Sequence, residues 1–300
     1  LFVLAMMPLF ENLGFVTDYR MMELASLNHP LMKQLMLRAP GSYHHSIVVG
    51  TLAEAACDAV GANSLQAKVS AYFHDIGKAM KPQYFIENNR DGKSRHSGLD
   101  PQTSAQIIIQ HVVDGVALAN EHRLPKPIVD NILMHHGDGL LQYFYRRAVE
   151  EASDPAEVDI QLFRYPGPRP DSREAGIIML ADKVEAATRT IIEPNEEKFR
   201  RMITSIINSV LNDGQFQDCP LTFREIYTIG DAFVGVLMGI HHQRIEYPHT
   251  AGLSRGAISP SPKAKERVIT LDIPASDSGV RSSEDDARTD YESVEHLPRG

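Results

Sequence analysis

The sequence is poor in three things: cysteine, strand-like alternation and basic charge. Its two cysteines, Cys57 and Cys219, stand far apart and neither lies in a CxxC spacing. That excludes a zinc ribbon or a disulfide framework and fits a reducing cytosolic environment. Lys and Arg number 30 against 39 Asp and Glu, for a formal charge of −9. A broad electrostatic grip on a nucleic acid polymer is therefore not expected. A small anionic ligand stays open, because a bound metal reverses the local field. Long hydrophobic runs are also missing. The apolar stretch Leu1–Phe10 would span only about 15 Å as helix, against roughly 30 Å of hydrocarbon in a bilayer. It is either a buried first helix or the end of a membrane helix that begins upstream. The first residue is Leu, so the chain is expected to be a piece of a longer one.

What is present is a helical pattern. Residues 1–40 are apolar and helix-like, 41–247 carry nearly all the periodic apolar signal, and 248–300 turn to Ser, Pro, Asp, Glu and Arg. The last stretch cannot bury enough surface to offset its ordering entropy and is expected to be a disordered polar tail, with Val268–Ile273 its one strand-like run. In the middle region the spacing predicts helices over His45–Val60, Leu65–Ile76 with Ser64 as cap, and a helix begun by Asp100 and Pro101 that carries His111. Further helices are predicted from Pro127 to near Gly137, over Leu140–Glu151, over Ser172–Ile192, over Glu196–Asn212 and over Thr222–Glu246. Period-two alternation is nearly absent and no internal repeat is found, so the fold class is all-α. Pro155–Pro170 is the one long internal loop, either a lid or binding edge or a plain surface excursion.

The chemistry lies in the histidines, of which there are thirteen. His44-His45 opens the first core helix, His74-Asp75 ends the next, His111 sits in an apolar helix, His135-His136 precedes a glycine turn, and Asp182 follows the run Ile177–Leu180. Any one of these alone reads as a capping, solvated or satisfied core residue. His96, His122 and His249 have no such context. Together, in the order H…HD…H…HH…D on successive helices, they point to a metal site. Divalent ions take neutral imidazole nitrogens and carboxylate oxygens converging from several directions, and a pair of ions wants one carboxylate to bridge them.

Tyr43-His44-His45-Ser46, Phe73-His74-Asp75-Ile76-Gly77-Lys78 and Leu180-Ala181-Asp182-Lys183 resemble the HD superfamily of phosphohydrolases. The stretch His29-Pro30-Leu31 followed by Ala39-Pro40-Gly41-Ser42-Tyr43-His44-His45-Ser46 closely resembles the cytosolic domain of the seven-transmembrane HD receptors, the PgpH-type cyclic di-AMP phosphodiesterases. Pro82, Tyr84-Phe85, Glu87-Asn88, His135-His136-Gly137 and Tyr143-Phe144-Tyr145 fit the same family, over roughly residues 8–248. The resemblance implies an HD-domain helical bundle over 41–247 with a dinuclear site. His45, His74, Asp75 and Asp182 would hold one ion, and His111, His135 and His136 the other, with Asp75 bridging. Lys78, about one turn after the pair, would meet a phosphate oxygen, so Asp75 and Lys78 are the candidate catalytic residues. Manganese or iron suits such a ligand set. The resemblance further implies a cyclic dinucleotide substrate, cyclic di-AMP hydrolysed to linear pApA. It places residues 1–40 as a juxtamembrane segment, attached to a membrane domain, at the cytoplasmic face of the cell membrane. It fixes no oligomeric state.

The sequence departs from the family at Asp138-Gly139, where hydroxyl residues are common. An acid there would repel an anionic ligand unless it faces away or binds metal. Three other readings compete. A cyclic di-GMP phosphodiesterase of the HD-GYP group would carry a Gly-Tyr-Pro signature, which is absent. A mononuclear hydrolase of ppGpp or dNTPs would need only the H, HD and D set. A non-catalytic nucleotide-sensing module would be expected to have lost ligands, and none is lost.

Overall fold

The computed structural model describes residues 16–89 and 91–241. Leu1–Phe10, Val268–Ile273 and the whole polar tail lie outside these residues. Among the described residues ten α-helices follow one another: α1 Asp18–Leu24, α2 Pro30–Arg38, α3 Pro40–Val60, α4 Ser64–Phe73, α5 Pro101–Glu121, α6 Lys126–Met134, α7 Gln142–Glu151, α8 Arg173–Thr188, α9 Glu196–Asn212 and α10 Phe223–Ile240. There is no strand among the described residues, only an isolated backbone bridge between Leu140 and Arg164. The chain is all-α, and no described helix is long and apolar enough to cross a membrane.

Capping chemistry sets most of the starts. Asp100 caps α5 by accepting from the Thr103 amide, with Pro101 in the first turn. Ser172 caps α8 through Ala175, and Asn195 caps α9 through Lys198. Thr222 and Glu225 cap α10 reciprocally. Some boundaries move from their predicted places. Asn63 rather than Ser64 caps α4, accepting from the Gln66 amide at 3.0 Å. The helix predicted from His45 starts at Pro40, because the Asn88 side chain reaches back to accept from the amides of Gly41 and Ser42 at 2.9 and 3.1 Å. The helix predicted to run to Ile76 stops at Phe73, and a 3-10 turn over Ile76–Met80 takes the chain onward. That early stop matters for the site, because it leaves His74 and Asp75 at a junction and not on one continuous helix. The helix predicted to reach Ile192 stops at Thr188, where i to i+3 turns through Ala187 and Thr188 replace the helical ladder.

Two apolar clusters flank the centre of the molecule. One joins Leu52 and Ala56 of α3 to α8, to Phe199 and Ile203 of α9 and to Phe233 of α10. The other joins Met21, Leu24, Leu31 and Met32 of α1 and α2 to Phe73 of α4 and to Ile128 and Ile132 of α6. Helix α8 is buried from Ala175 to Asp182, with apolar side chains all round, as a central helix must be. Its neighbour α9 buries only the stripe Phe199, Ile203, Ile207 and Val210, leaving a polar face outward.

The loop Pro155–Pro170 is anchored, not a free excursion. It holds short 3-10 turns at Pro155–Glu157 and Ile160–Phe163, and Phe163 packs with Ala105 and Phe144. The Leu141 amide donates to the Phe163 carbonyl at 2.8 Å, and the Tyr165 amide to that of Gly139 at 3.0 Å. These bonds deliver Tyr165 beside the histidine-rich centre.

The turn after the histidine–aspartate pair depends on Gly77. A Cβ there would stand 1.9 Å from the carbonyl oxygen of His111 and 2.6 Å from the amide nitrogen of Gly115. Both are backbone atoms, so neither can swing aside. Gly77→Ala is expected to lower the unfolding free energy by about 1–3 kcal/mol, in the range of overpacked interiors. Urea denaturation measures it, and an unchanged midpoint would mean that the turn moves off α5 without cost.

Candidate metal centre

Five chain segments bring the seven sequence-predicted ligand residues together. His45 lies on α3, His74 at the C-cap of α4, Asp75 at the start of the following turn, and His111 on α5. His135 is the C-cap of α6, His136 follows it, and Asp182 lies on α8. His45, His74, Asp75, His111, His135 and Asp182 are buried, and His136 is partly so. His44, the other half of its pair, points to solvent. His96 and His122 stay outside the cluster, bonded to the backbone carbonyls of Tyr84 and Leu118.

Asp75 lies between two sets of imidazoles. Its Oδ2 is 3.2 Å from His74 Nε2 and 3.5 Å from His45 Nε2. Its Oδ1 is 3.4 Å from His111 Nε2 and 3.8 Å from His135 Nε2. Asp182 spans the two sets as well, with Oδ1 2.9 Å from His45 Nε2 and Oδ2 3.6 Å from His136 Nδ1. The donor atoms of His45, His74 and Asp182 lie within 4.8 Å of one another, as do those of His111, His135 and His136.

The far side of each ring explains why these nitrogens converge. The Nδ1 of His74 bonds to the Ala71 carbonyl at 2.7 Å, that of His111 to Ile108 at 2.5 Å, and that of His135 to Ile132 at 2.7 Å. A carbonyl only accepts, so Nδ1 carries the proton, and in a neutral ring Nε2 is left with a bare lone pair. His45 reaches the same state through a side chain: its Nδ1 pairs with Glu185, which Arg189 holds through both oxygens at 2.9 and 3.0 Å. Bare nitrogens facing carboxylate oxygens repel unless a cation or a proton lies between them. His45 Nε2, His74 Nε2 and both Asp75 oxygens are indeed buried without an aligned hydrogen-bond partner. These donors fit a divalent metal.

The electrostatics divide along the same line. Burial disfavours the His74 cation, but Asp75 and Asp182 outweigh it and push this imidazole up to about 10. Burial, then His74 and His111, push His135 down to about 3, and His111 and His136 are lowered as well. Asp75 and Asp182 are held well below the usual carboxylate range. Burial opposes their charge, but His74 and Lys78 favour it for Asp75, and His45 and His74 for Asp182. Lys78 Nζ stands 2.7 Å from Asp75 Oδ2 and 3.2 Å from Glu87 Oε1, which also accepts from the Ser42 hydroxyl. Its charge is held despite burial by Asp75 and Glu87.

Asp138 is engaged. Its carboxylate takes both oxygens to Arg169 Nε at 3.1 Å and one to Gln215 at 2.7 Å, and Arg169 draws its pKa down. The repulsion expected of this acid is thus offset by a guanidinium from the Pro-rich loop. Sequence reasoning missed two contributors to the site. Glu185 could have been found as an acid one helical turn after Asp182 on a buried helix. Tyr165, 4.3 Å from His136 between ring centroids, sits on a loop and gives no periodic signal.

The HD-domain family model matches residues 42–187, which contain all seven residues. The chain is 47% identical over 247 residues to a Bacillus subtilis (strain 168) protein named Cyclic-di-AMP phosphodiesterase PgpH, covering 82% of this chain and 34% of that one. It is 46% identical over 242 residues to the protein of the same name from Listeria monocytogenes, covering 80% and 33%. It therefore spans about a third of the length of these relatives. The crystal structure of the L. monocytogenes phosphodiesterase PgpH HD domain in complex with cyclic di-AMP aligns with a TM-score of 0.68 at 44% identity, covering 71% of this chain and 99% of that one. The chain belongs to the HD-domain family, and its helical body is an HD domain of the PgpH type.

Proposed function

We propose that this chain is a metal-dependent phosphodiesterase that hydrolyses cyclic di-AMP to linear pApA. The observation that carries the reading is Asp75, whose two oxygens each face a separate group of imidazole nitrogens. In this reading His45, His74 and Asp182 would hold one divalent cation, His111, His135 and His136 would hold a second, and Asp75, which lies between the two groups, would serve both. Manganese and iron suit the donor set. Bound there, such ions supply Lewis acidity toward a phosphate oxygen and lower the pKa of water toward neutrality.

The side chains do the rest. A cavity of about 250 Å³ lined by His45, Lys78, His111, His136 and Tyr165 receives the scissile diester. Lys78 turns its ammonium to a phosphate oxygen while keeping Asp75 charged. Glu87 and the Phe85 ring, 5.1 Å from Nζ, hold that ammonium in place. Water adds to phosphorus, the ribose 3′ oxygen leaves, and the proton lost by water ends on that oxygen. Attachment to a membrane domain at the cytoplasmic face belongs to the same proposal and rests on the family resemblance.

Three outcomes test it. Asp75→Ala is expected to abolish turnover of cyclic di-AMP in a chromatographic assay with manganese. Cyclic di-GMP, ppGpp and dNTPs in the same panel separate the other enzyme readings. Wild-type turnover by Asp75→Ala at full metal content would sink the mechanism. Glu185→Gln removes the charged partner of His45 and should cost about 10–100-fold in metal affinity or activity, as lost braces of ligating histidines do.

The third concerns pH. Metal binding must displace the proton that the carboxylates draw onto His74, whose pKa in the metal-free protein is pushed up to about 10. Below that value the proton competes with the cation, so apparent affinity should rise with pH, by up to about tenfold per unit for each proton displaced. Isothermal titration with manganese at pH 7 and pH 8 in buffers of differing ionisation enthalpy reads both the affinity and the proton count. Equal affinities with no proton released would contradict this account of the site.

A further inference from the structure

Four of the five clustered histidines have a hydrogen bond on the far side of the ring, to a main-chain carbonyl or to Glu185. His136 has none among the described residues. Its Nδ1 stands 3.6 Å from Asp182 Oδ2, beyond hydrogen-bond range, and its partly exposed ring also lines a larger cavity of about 980 Å³. The torsion that turns an imidazole about its Cβ–Cγ bond is broad and roughly two-fold. Without a brace, something else must set the plane of this ring.

What lies against it is aromatic. The His135 ring is 4.0 Å away between centroids, tilted by 43°, and the Tyr165 ring is 4.3 Å away, tilted by 33°. Tyr165 is buried, and its loop grips the turn that follows His136. The Tyr165 amide donates to the Gly139 carbonyl at 3.0 Å, and the Gly139 amide donates to the His136 carbonyl at 3.1 Å. On one side of Tyr165, Arg164 donates to the Asp138 carbonyl at 2.8 Å. On the other side Arg169 holds the Asp138 carboxylate. The tyrosine ring and the histidine turn are therefore tied into one unit. Stacked neighbours block rotation of the His136 ring out of its plane. Of the two orientations left in that plane, Asp182 and a cation select the one that turns Nδ1 inward.

We propose that Tyr165 is the positioning residue for His136. It does by ring packing what a hydrogen bond does for the other four histidines, and the Asp138–Arg169 pair holds it in place. The inference rests on the two-cation reading and deepens it, because it makes the group formed by His111, His135 and His136 depend on the Pro-rich loop.

The test is a double-mutant cycle read by manganese titration calorimetry on the metal-free chain, with no substrate present. The wild type is expected to take two ions, and His136→Ala to weaken one of the two binding events. Tyr165→Ala is expected to weaken that same event about 10–100-fold, as loss of a ligand's support does, and to leave the other unchanged. In the His136→Ala background the same substitution should add nothing, because the ring it acts through is gone. Tyr165→Phe keeps the ring and should restore wild-type binding. Arg169→Gln, which frees Asp138, should lose part of it. If Tyr165→Ala loses its helical circular dichroism, Tyr165→Leu, which keeps bulk without a flat face, takes its place in the cycle. Equal losses at both events, or an undiminished loss in the His136→Ala background, would overturn the positioning role. A wild type that takes fewer than two ions would overturn the two-cation reading and this inference with it. Two ions bound, with Tyr165→Ala indistinguishable from wild type, would overturn this inference alone.

Discussion

The structure is organised around one electrostatic demand: the buried Asp75 carboxylate needs positive charge on both of its oxygens. It has almost no solvent access, and four imidazoles surround it with nitrogens that lack a proton when neutral. Lys78 answers Oδ2 at 2.7 Å, but imidazole lone pairs facing both oxygens are unfavourable unless a cation or a proton lies between them. The seven side chains that converge here come from five separate chain segments. The packing of α3, α4, α5, α6 and α8 therefore works as a ligand-positioning frame. The two apolar clusters either side fix how those helices meet, and Gly77 allows the turn carrying Asp75 to touch α5 directly.

Much of this was legible in the sequence because metal chemistry leaves an unusual residue pattern. His74-Asp75, His135-His136 and the isolated Asp182 stand out against apolar helices, and the structure brings all seven side chains into one cluster. Helix starts were read well where a side-chain cap was local, as at Asp100, Ser172, Asn195 and Thr222. They were read poorly where the cap comes from far away. No local pattern could reveal that Asn88 would satisfy the amides at Gly41 and Ser42. Helix ends were also missed, because the stop at Phe73 is imposed by the turn's contact with α5 and not by a breaker residue. Tyr165 was invisible for a related reason, since long-range contacts, among them the backbone bonds to Gly139 and Leu141, bring its loop to the centre.

The Asp138 departure shows how a residue that looks hostile in sequence can be harmless in space. Its charge is answered by Arg169, and Gln215 joins the same carboxylate. The result ties three loops together beside the larger cavity: the turn after His136, the Pro-rich segment and the end of α9. That network stiffens the rim of the site, where a hydroxyl would have made weaker bonds.

The histidines differ in how they are braced, and the difference bears on mutational robustness. His74, His111 and His135 each lean on a main-chain carbonyl three residues earlier. Since every amino acid supplies that oxygen, exchanges at Ala71, Ile108 or Ile132 leave the brace chemically intact, and natural variation there is free to answer to packing alone. His45 leans on the Glu185 side chain, which itself leans on Arg189. A single codon change can erase that support, so drift that disturbs the centre while sparing all seven clustered side chains has its most direct route through α8.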